Sequence, residues 1–196
     1  MTLLILQTPT HLEHLFVPVL LFCLLLWLIL YGARHVHNWW KGQSIMRDII
    51  DELSATVRQT VPQLQKLTER DAGEHRVPGK WSKKEILGHL IDSASNNHQR
   101  FVRIQLSSEL RMPDYDQEVW VATQNYQSER WEQLVQFWHH YNLHLIHVLH
   151  QIPDKKLGSV CFVGQNEPIT FDILLKEYVE HLNHHLDQIL IPEEPI

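Results

Sequence analysis

Apolar residues recur every three or four positions in four separate stretches of the chain, which is the spacing of one buried face on an α-helix. Each stretch is about 20 residues or longer, a usual length for a bundle helix. None shows the alternation of apolar and polar residues that indicates a strand. The pattern therefore predicts an all-α fold, a four-helix bundle. The predicted helices are 46–67, 82–110, 128–153 and 170–192.

Capping residues and prolines predict where these helices begin and end. Glu85 follows Ser82 by three positions, which is the capping-box pattern of a helix start. Ser128 and Thr170 are the expected N-caps of the third and fourth helices. Pro153 ends the third helix. The segments expected to form loops are 71–81, 111–127 and 154–169.

The first 45 residues differ from the rest of the chain in composition. Residues 14–33 contain no charged side chain and are mostly large and apolar, and roughly 20 such residues span the core of a bilayer. Arg34 and Lys41 follow this run. The positive-inside rule then places the following domain in the cytoplasm. We therefore expect residues 12–33 to anchor the chain in a membrane.

A second interpretation of the same segment needs no membrane. Met46 begins a well-formed amphipathic helix, so residues 46–192 could be the whole protein, with a misassigned translation start upstream. Residues 1–45 would then not be made, and the protein would be cytoplasmic. Both interpretations divide the chain into a hydrophobic segment over 1–45 and a globular domain over 46–192.

Charge and cysteine content narrow the class of partner. The 196-residue chain has a formal net charge of −6 and no basic run, so nucleic acid is not an expected partner. Its two cysteines, Cys23 and Cys161, lack metal-type spacing. Fifteen histidines are many for this length and draw attention to imidazole chemistry. A small molecule is therefore the expected partner.

Three histidines are the candidate metal ligands. His181 and His185 lie one helical turn apart, so both imidazoles can reach one ion. His89 lies on the second predicted helix, and at about 100° per residue all three lie at the edges of buried stripes. Three neutral imidazoles leave a fourth tetrahedral position for water or substrate, as in catalytic zinc sites. Zn²⁺ is the expected ion, with Ni, Fe or Mn as alternatives.

Polar residues continue the edge of the second helix beyond His89. Ser93, Asn96 and Arg100 form this row and are expected to bind the substrate. Arg100 could hold a substrate carboxylate through its planar fork of donors. The alternative for Arg100 is an ion pair inside the bundle.

Two acids beside the histidines are candidate catalytic groups. Asp92 lies close to one turn from His89, so it could orient the imidazole or accept a proton from bound water. Glu177 lies one turn before His181 and faces nearly the same way, so it could act as a base or a fourth ligand. For each acid the alternative is an ordinary solvated charge on a helix.

Two segments of the chain resemble signature sequences of the DinB/YfiT superfamily. The second-helix signature is matched by WSKKEILGHLIDS at 81–93, and the last-helix signature by EPIT and HLNHH within 167–185. The likeness covers about 46–190, with both motifs in order. It implies a four-helix bundle with an up-down-down-up arrangement, and homodimers are common among members. The divalent-metal ligands that it implies are His89, His181 and His185.

The same resemblance implies a class of reaction. Characterised branches use bacillithiol or mycothiol, so we expect an enzyme that transfers a low-molecular-weight thiol to an electrophile. Hydrolysis of a small molecule by metal-activated water is the second expectation. The rival hypothesis is a non-catalytic metal-binding or stress-response module, tethered to the membrane by the N-terminal segment.

Overall fold

The computed structural model describes residues 13–191 and confirms a helical bundle preceded by an N-terminal hydrophobic helical segment. The α-helices are α1 Glu13–Leu64, α2 Glu69–Gly73, α3 Lys83–Arg103, α4 Gln117–Gln124, α5 Trp131–Leu149 and α6 Phe171–Leu190. The strands are β1 Glu109–Met112, β2 Val160–Val163 and β3 Ile169–Thr170. Short 3₁₀ turns lie at Ile104–Leu106, Tyr126–Ser128 and Asp154–Lys156.

The chain separates into two compact units, Met1–Lys41 and Gly42–Ile196. Within the first unit, the large apolar side chains from Leu21 to Tyr31 are 46% to 66% exposed. In the part of the chain that the structure describes, no helix is both long enough and apolar enough to cross a membrane. This finding does not support the expected anchor at 12–33, whose first residue lies outside the described range.

The core of the second unit lies between the later part of α1 and the helices α3, α5 and α6. Leu53 of α1, Leu90 of α3, Trp138 of α5 and Leu182 of α6 are almost completely buried. Burying a side chain of this kind contributes about 1.5–3 kcal/mol. The predicted four-helix bundle is therefore confirmed, and its core-facing positions recur at the helical spacing of the sequence.

The start of α3 is fixed by the predicted capping box. The Glu85 backbone N–H donates to Ser82 Oγ at 3.3 Å, and the Ser82 N–H donates to Glu85 Oε2 at 2.7 Å. Lys84 is buried in the first turn, where its ammonium donates to the Glu129 carbonyl at 2.6 Å and to the Glu69 carboxylate. These contacts tie α3 to the segments before and after it.

A small sheet occupies segments that the sequence pattern assigned to a helix and a loop. β1 pairs with β2 in parallel, and β2 pairs with β3 in antiparallel. The predicted second helix was expected to reach Leu110, but α3 ends at Arg103, and Leu110 lies in β1. Strands of four residues or fewer are too short to show a clear alternation. Leu110 and Cys161, paired across β1 and β2, are both buried and hold the sheet on the bundle.

The start of the third bundle helix also differs from the prediction. Arg130 is the N-cap of α5, whereas Ser128 lies in a 3₁₀ turn and donates its hydroxyl to the Asn125 carbonyl at 2.9 Å. Asn125 has a φ of 51°, in the left-handed region, so the chain turns sharply after α4 and the helix starts later. Thr170 is the N-cap of α6 as predicted, although its hydroxyl bonds to the Asp172 carboxylate.

Gly88 allows an aromatic ring to lie directly on the backbone of α3. A Cβ at this position would lie 2.1 Å from a ring carbon of Tyr126. The close approach brings the Tyr126 hydroxyl to Asp92 Oδ1, to which it donates at 2.7 Å. Gly88 therefore helps to position the chain after α4 against α3, beside the histidine of the next position.

Candidate metal centre

Three histidines from two helices converge at one point. His89 of α3 and His181 and His185 of α6 place one ligand nitrogen each within 4.8 Å of the others. The Nε2 atoms of His89 and His181 are 3.0 Å apart. Two nitrogens bound tetrahedrally to zinc at 2.0–2.1 Å are separated by about 3.3 Å. The spacing of these side chains therefore fits a shared metal ion.

The electrostatic surroundings keep the three imidazoles neutral. Burial, together with the neighbouring His181 and His185, lowers the pKa of His89 to about 3. Burial and the nearby histidines likewise lower the pKa of His181 to about 4. The pKa of His185 is lowered too, chiefly by burial. Neutral imidazole is the form that binds a metal, so protons compete weakly for these nitrogens near neutral pH.

Gln188 orients one of the rings, and the sequence analysis missed it. The Nδ1 of His185 lies 2.9 Å from Gln188 Oε1, so Nδ1–H donates and Nε2 keeps its lone pair for a metal. The Gln188 amide nitrogen lies 3.0 Å from His184 Nε2, which fixes the amide orientation. The sequence did contain a signal for this contact, because Gln188 follows His185 by three residues on one helix and side chains at that spacing are neighbours.

His89 is held in a different way. Its Nδ1 is buried and has no hydrogen-bond partner among residues 13–191. Its ring packs against the indole of Trp81, with ring centroids 5.1 Å apart. Trp81 was identified only as part of the helix-start sequence, and its position two turns before His89 gave no indication of this contact. The tilted indole, at an interplanar angle of 41°, therefore packs against His89 where a hydrogen bond to Nδ1 would usually hold the ring.

A cavity of about 600 Å³ opens beside His89 and His181. Besides these two histidines, three more of the predicted site residues line it, namely Ser93, Arg100 and Glu177. Its remaining walls come from the segment Asp114–Glu118 and from α6 and β2. One cavity therefore brings together Ser93 and Arg100 of α3 with Glu177 of α6.

Asn96 is the exception among the predicted substrate-binding residues. Its side-chain amide donates to the Asp92 carbonyl of its own helix at 2.9 Å, and Asn97 lines the cavity instead. Asn97 is buried, and it donates to the Ser93 carbonyl at 3.0 Å. Ser93 and Arg100 line the cavity as expected, so Asn96 alone departs from the predicted row of α3.

Asp92 does not face the histidines. Its Oδ1 accepts hydrogen bonds from the Tyr126 hydroxyl at 2.7 Å and from the Gln124 amide. It lines a separate apolar cavity between α3, α4 and α5, together with Trp120 and Phe137. Burial raises the pKa of Asp92, and the two hydrogen bonds lower it. The predicted role of Asp92 in orienting the His89 imidazole is not observed, because its contacts are with the segment after α4.

A second cavity, of about 580 Å³, lies on the His185 side of the cluster. Trp81, Lys83, His185 and Gln188 line it, and Glu118 lines both this cavity and the one beside His89. The three imidazoles therefore lie where two cavities approach each other.

Other histidines of the chain do not form a comparable site. His98 and His144 lie with ring centroids 5.1 Å apart across α3 and α5, and His140 bonds to a carbonyl of its own helix. Among the side chains that the structure describes, those of residues 21–37 and 45–191, the only cluster of three or more His, Cys, Asp or Glu ligand atoms is that of the converging histidines. Spacing within one helix is therefore not sufficient to make a site.

Comparisons with known proteins agree with this architecture. A family model described as the DinB superfamily matches residues 52–189. Among solved structures the chain is similar to YfiT from Bacillus subtilis, described as a probable metal-dependent hydrolase with an unusual four-helix bundle topology. The two share 19% identity with a TM-score of 0.63, over 76% of this chain and 83% of that one.

A second similar structure is that of a mycothiol-dependent maleylpyruvate isomerase. It is 11% identical, with a TM-score of 0.62, over 74% of this chain and 60% of that one. A variant of the same isomerase is 12% identical with a TM-score of 0.63, over 76% of this chain and 61% of that one. At these identities the likeness shows the fold alone. No curated protein matches the chain.

Proposed function

The chain belongs to the DinB superfamily, and on that premise we propose that it is a metal-dependent enzyme whose divalent ion binds His89, His181 and His185. The observation that carries the proposal is the convergence of three ligand nitrogens within 4.8 Å of one another. Zn²⁺ is the proposed ion, because a set of three imidazoles with a fourth position left open is typical of catalytic zinc sites. Availability would decide between zinc and Ni, Fe or Mn.

Transfer of a low-molecular-weight thiol to an electrophile is the proposed reaction. A bound divalent ion would lower the pKa of a thiol or water molecule in the open coordination position. Two cavities flank the histidines and share Glu118, so each can hold one of two reactants. The solved isomerase with this fold is described as mycothiol-dependent, which also supports a thiol as co-substrate.

Glu177 is the proposed proton acceptor. It lines the cavity beside His89 and His181, and its side chain is exposed. An exposed carboxylate can accept a proton from the thiol or water and pass it to solvent. Asp92 is not assigned this task, because its carboxylate is held by Tyr126 and Gln124 at another cavity.

Hydrolysis is the second candidate, and the similar structure described as a probable metal-dependent hydrolase favours it. It needs only one cavity for an organic substrate, and water would take the place of the thiol. The two reactions require the same histidines, so a single set of variants tests both.

The test is a rate measurement on the zinc-loaded full-length chain. A chromogenic electrophile is mixed with cysteine, glutathione or another small thiol, and an activated ester is used separately for hydrolysis. We expect a metal-dependent rate that His181→Ala abolishes and His140→Ala retains. His140 is a matched control because it is exposed on α5, bonds to the Gln136 carbonyl of its own helix and lies outside the convergent cluster. Absence of any rate above background would favour a non-catalytic binding module.

A further inference from the structure

Arg100 carries a buried positive charge without a partner. Its side chain is only 7% exposed, and its Nε is buried with no hydrogen-bond partner among the described residues. Its one recorded hydrogen bond runs from Nη1 to Asn97 Oδ1 at 3.2 Å. No carboxylate among the described side chains, those of residues 21–37 and 45–191, lies within 4.0 Å of the guanidinium, so the ion pair considered from the sequence is not observed there. Arginine stays protonated when buried, and a buried charge without a partner is costly.

The position of Arg100 connects this charge to the metal centre. His89, Ser93, Asn97 and Arg100 succeed one another along α3 at intervals of four, four and three residues, and all four line the same cavity. Eleven residues of helix correspond to roughly 16 Å. The cavity therefore has ligand nitrogens at one end, hydrogen-bonding side chains along its wall and a cation at the other end.

Asp114 is the acidic residue whose charge acts on Arg100 from the wall of the same cavity. It lines the cavity, and its charge acts to raise the pKa of Arg100 against the lowering effect of burial. The Asp114 Oδ1 is already engaged by the Tyr115 backbone N–H at 2.9 Å. The residue is exposed on the segment that forms the cavity wall. Asp114 therefore reduces the positive potential of the cavity without occupying the donors of Arg100.

We propose that Arg100 binds an oxyanionic group of the substrate, a carboxylate or a phosphate, at the end of the cavity opposite the histidines. The planar guanidinium can donate two parallel hydrogen bonds to two oxygens of such a group. Asn97 Oδ1 accepts a hydrogen bond from Nη1 of Arg100 and so helps to hold the guanidinium in place. This inference rests on the proposed function, because it treats the bound anion as the substrate of the metal-dependent reaction. The reactive atom of that substrate would then lie towards His89. Binding of the anion itself needs no metal.

Calorimetric titration of the full-length chain with succinate and, separately, with inorganic phosphate tests the proposal. We expect at least one probe to bind, with a loss of at least about tenfold in affinity for Arg100→Gln and a smaller loss for Arg100→Lys. Arg103→Gln is the matched control, because Arg103 is exposed on the same helix and should leave binding unchanged. Binding of succinate alone would identify a carboxylate, and binding of phosphate alone a phosphate.

Two results would overturn the proposal, namely no binding of either probe to the native chain, or equal binding by Arg100→Gln.

Asp114→Asn provides a test that leaves the core intact, and it should tighten binding of the same probe several-fold because a nearby negative charge is removed. Unchanged or weaker binding by this variant would count against the proposal. His185 lines the other cavity, so His185→Ala should lose metal and retain the anion. Failure of the metal site and failure of the anion site can therefore be told apart.

Discussion

His89 and His181 lie 92 positions apart in the sequence, yet their Nε2 atoms are 3.0 Å apart. The contact joins α3 to α6 near the mouth of a cavity, where the burial of both rings disfavours protonation. A hydrogen bond between two neutral imidazoles could account for this pair alone. Such a hydrogen bond leaves unexplained why His185 also brings a ligand nitrogen within 4.8 Å of the other two, while its Nδ1 lies 2.9 Å from Gln188 Oε1.

Metal should stabilise the fold through these three side chains. Zinc at about one hundred times its dissociation constant adds about 2.7 kcal/mol to the free energy of unfolding. For a domain of this size we expect the melting temperature to rise by several degrees, and a chelator should reverse the rise. His185→Ala should show no rise, whereas His140→Ala, at an exposed position of α5 outside the site, should keep it. Thermal denaturation followed by circular dichroism measures both, and equal stabilisation of the two variants would contradict the site.

Gln188→Ala should weaken metal binding without removing a ligand. Its Oε1 accepts the hydrogen bond from His185 Nδ1, and loss of such a partner typically costs about 10–100-fold in metal affinity. Competition with a chromophoric chelator gives the dissociation constant. Asp187→Ala is the control, because this neighbour is exposed and its side chain makes no hydrogen bond with a described residue. An unchanged affinity for Gln188→Ala would mean that packing alone orients His185.

Local chemistry explains which features could be predicted from the sequence. The start of α3 depends on Ser82 and Glu85, three positions apart, and the pair His181 and His185 depends on one helical turn. Such short-range relations are visible in a single chain. The four helices likewise follow from repeated apolar positions.

Long-range relations account for what the sequence did not predict. β1 is stabilised by pairing with β2, about fifty residues later, and not by a pattern of its own. Asn97 lines the cavity in place of Asn96, whose amide donates to the Asp92 carbonyl of its own helix. The role of Trp81 depends on the fold of the loop before α3. No short-range sequence pattern indicates the pairing of β1 with β2, the position of Asn97 or the contact of Trp81.

Gly88→Ala should destabilise the domain even though alanine is the better helix former. Gly costs about 1 kcal/mol relative to Ala in a helix interior, so an ordinary position would gain from the change. Here the new Cβ would lie 2.1 Å from the Tyr126 ring, and overpacking typically costs about 1–3 kcal/mol. Urea denaturation should show a lower midpoint. Gly73→Ala is the control, since its nearest neighbour would be at an ordinary 3.6 Å.

Asp92 should make stability depend on pH in a direction opposite to that of a typical salt-bridged acid. Burial raises its pKa above the ordinary aspartate value of 3.8, against the hydrogen bonds from Tyr126 and Gln124. In the range between 3.8 and the raised folded-state pKa, the folded protein holds a proton that the unfolded chain has lost. The contribution of Asp92 is therefore favourable at low pH and is lost as pH rises through the folded-state pKa.

Comparison with Asp92→Asn isolates this contribution. The free energy of unfolding of the native chain minus that of the variant should fall as pH rises from about 4 and then level off, since other titrating groups cancel in the difference. Urea denaturation at intervals from about pH 4 to pH 8 measures it. In a Tyr126→Phe background one hydrogen bond to the carboxylate is lost, so the fall should extend to higher pH. A difference that grows with pH would instead mean that these donors stabilise the charged carboxylate more than burial disfavours it.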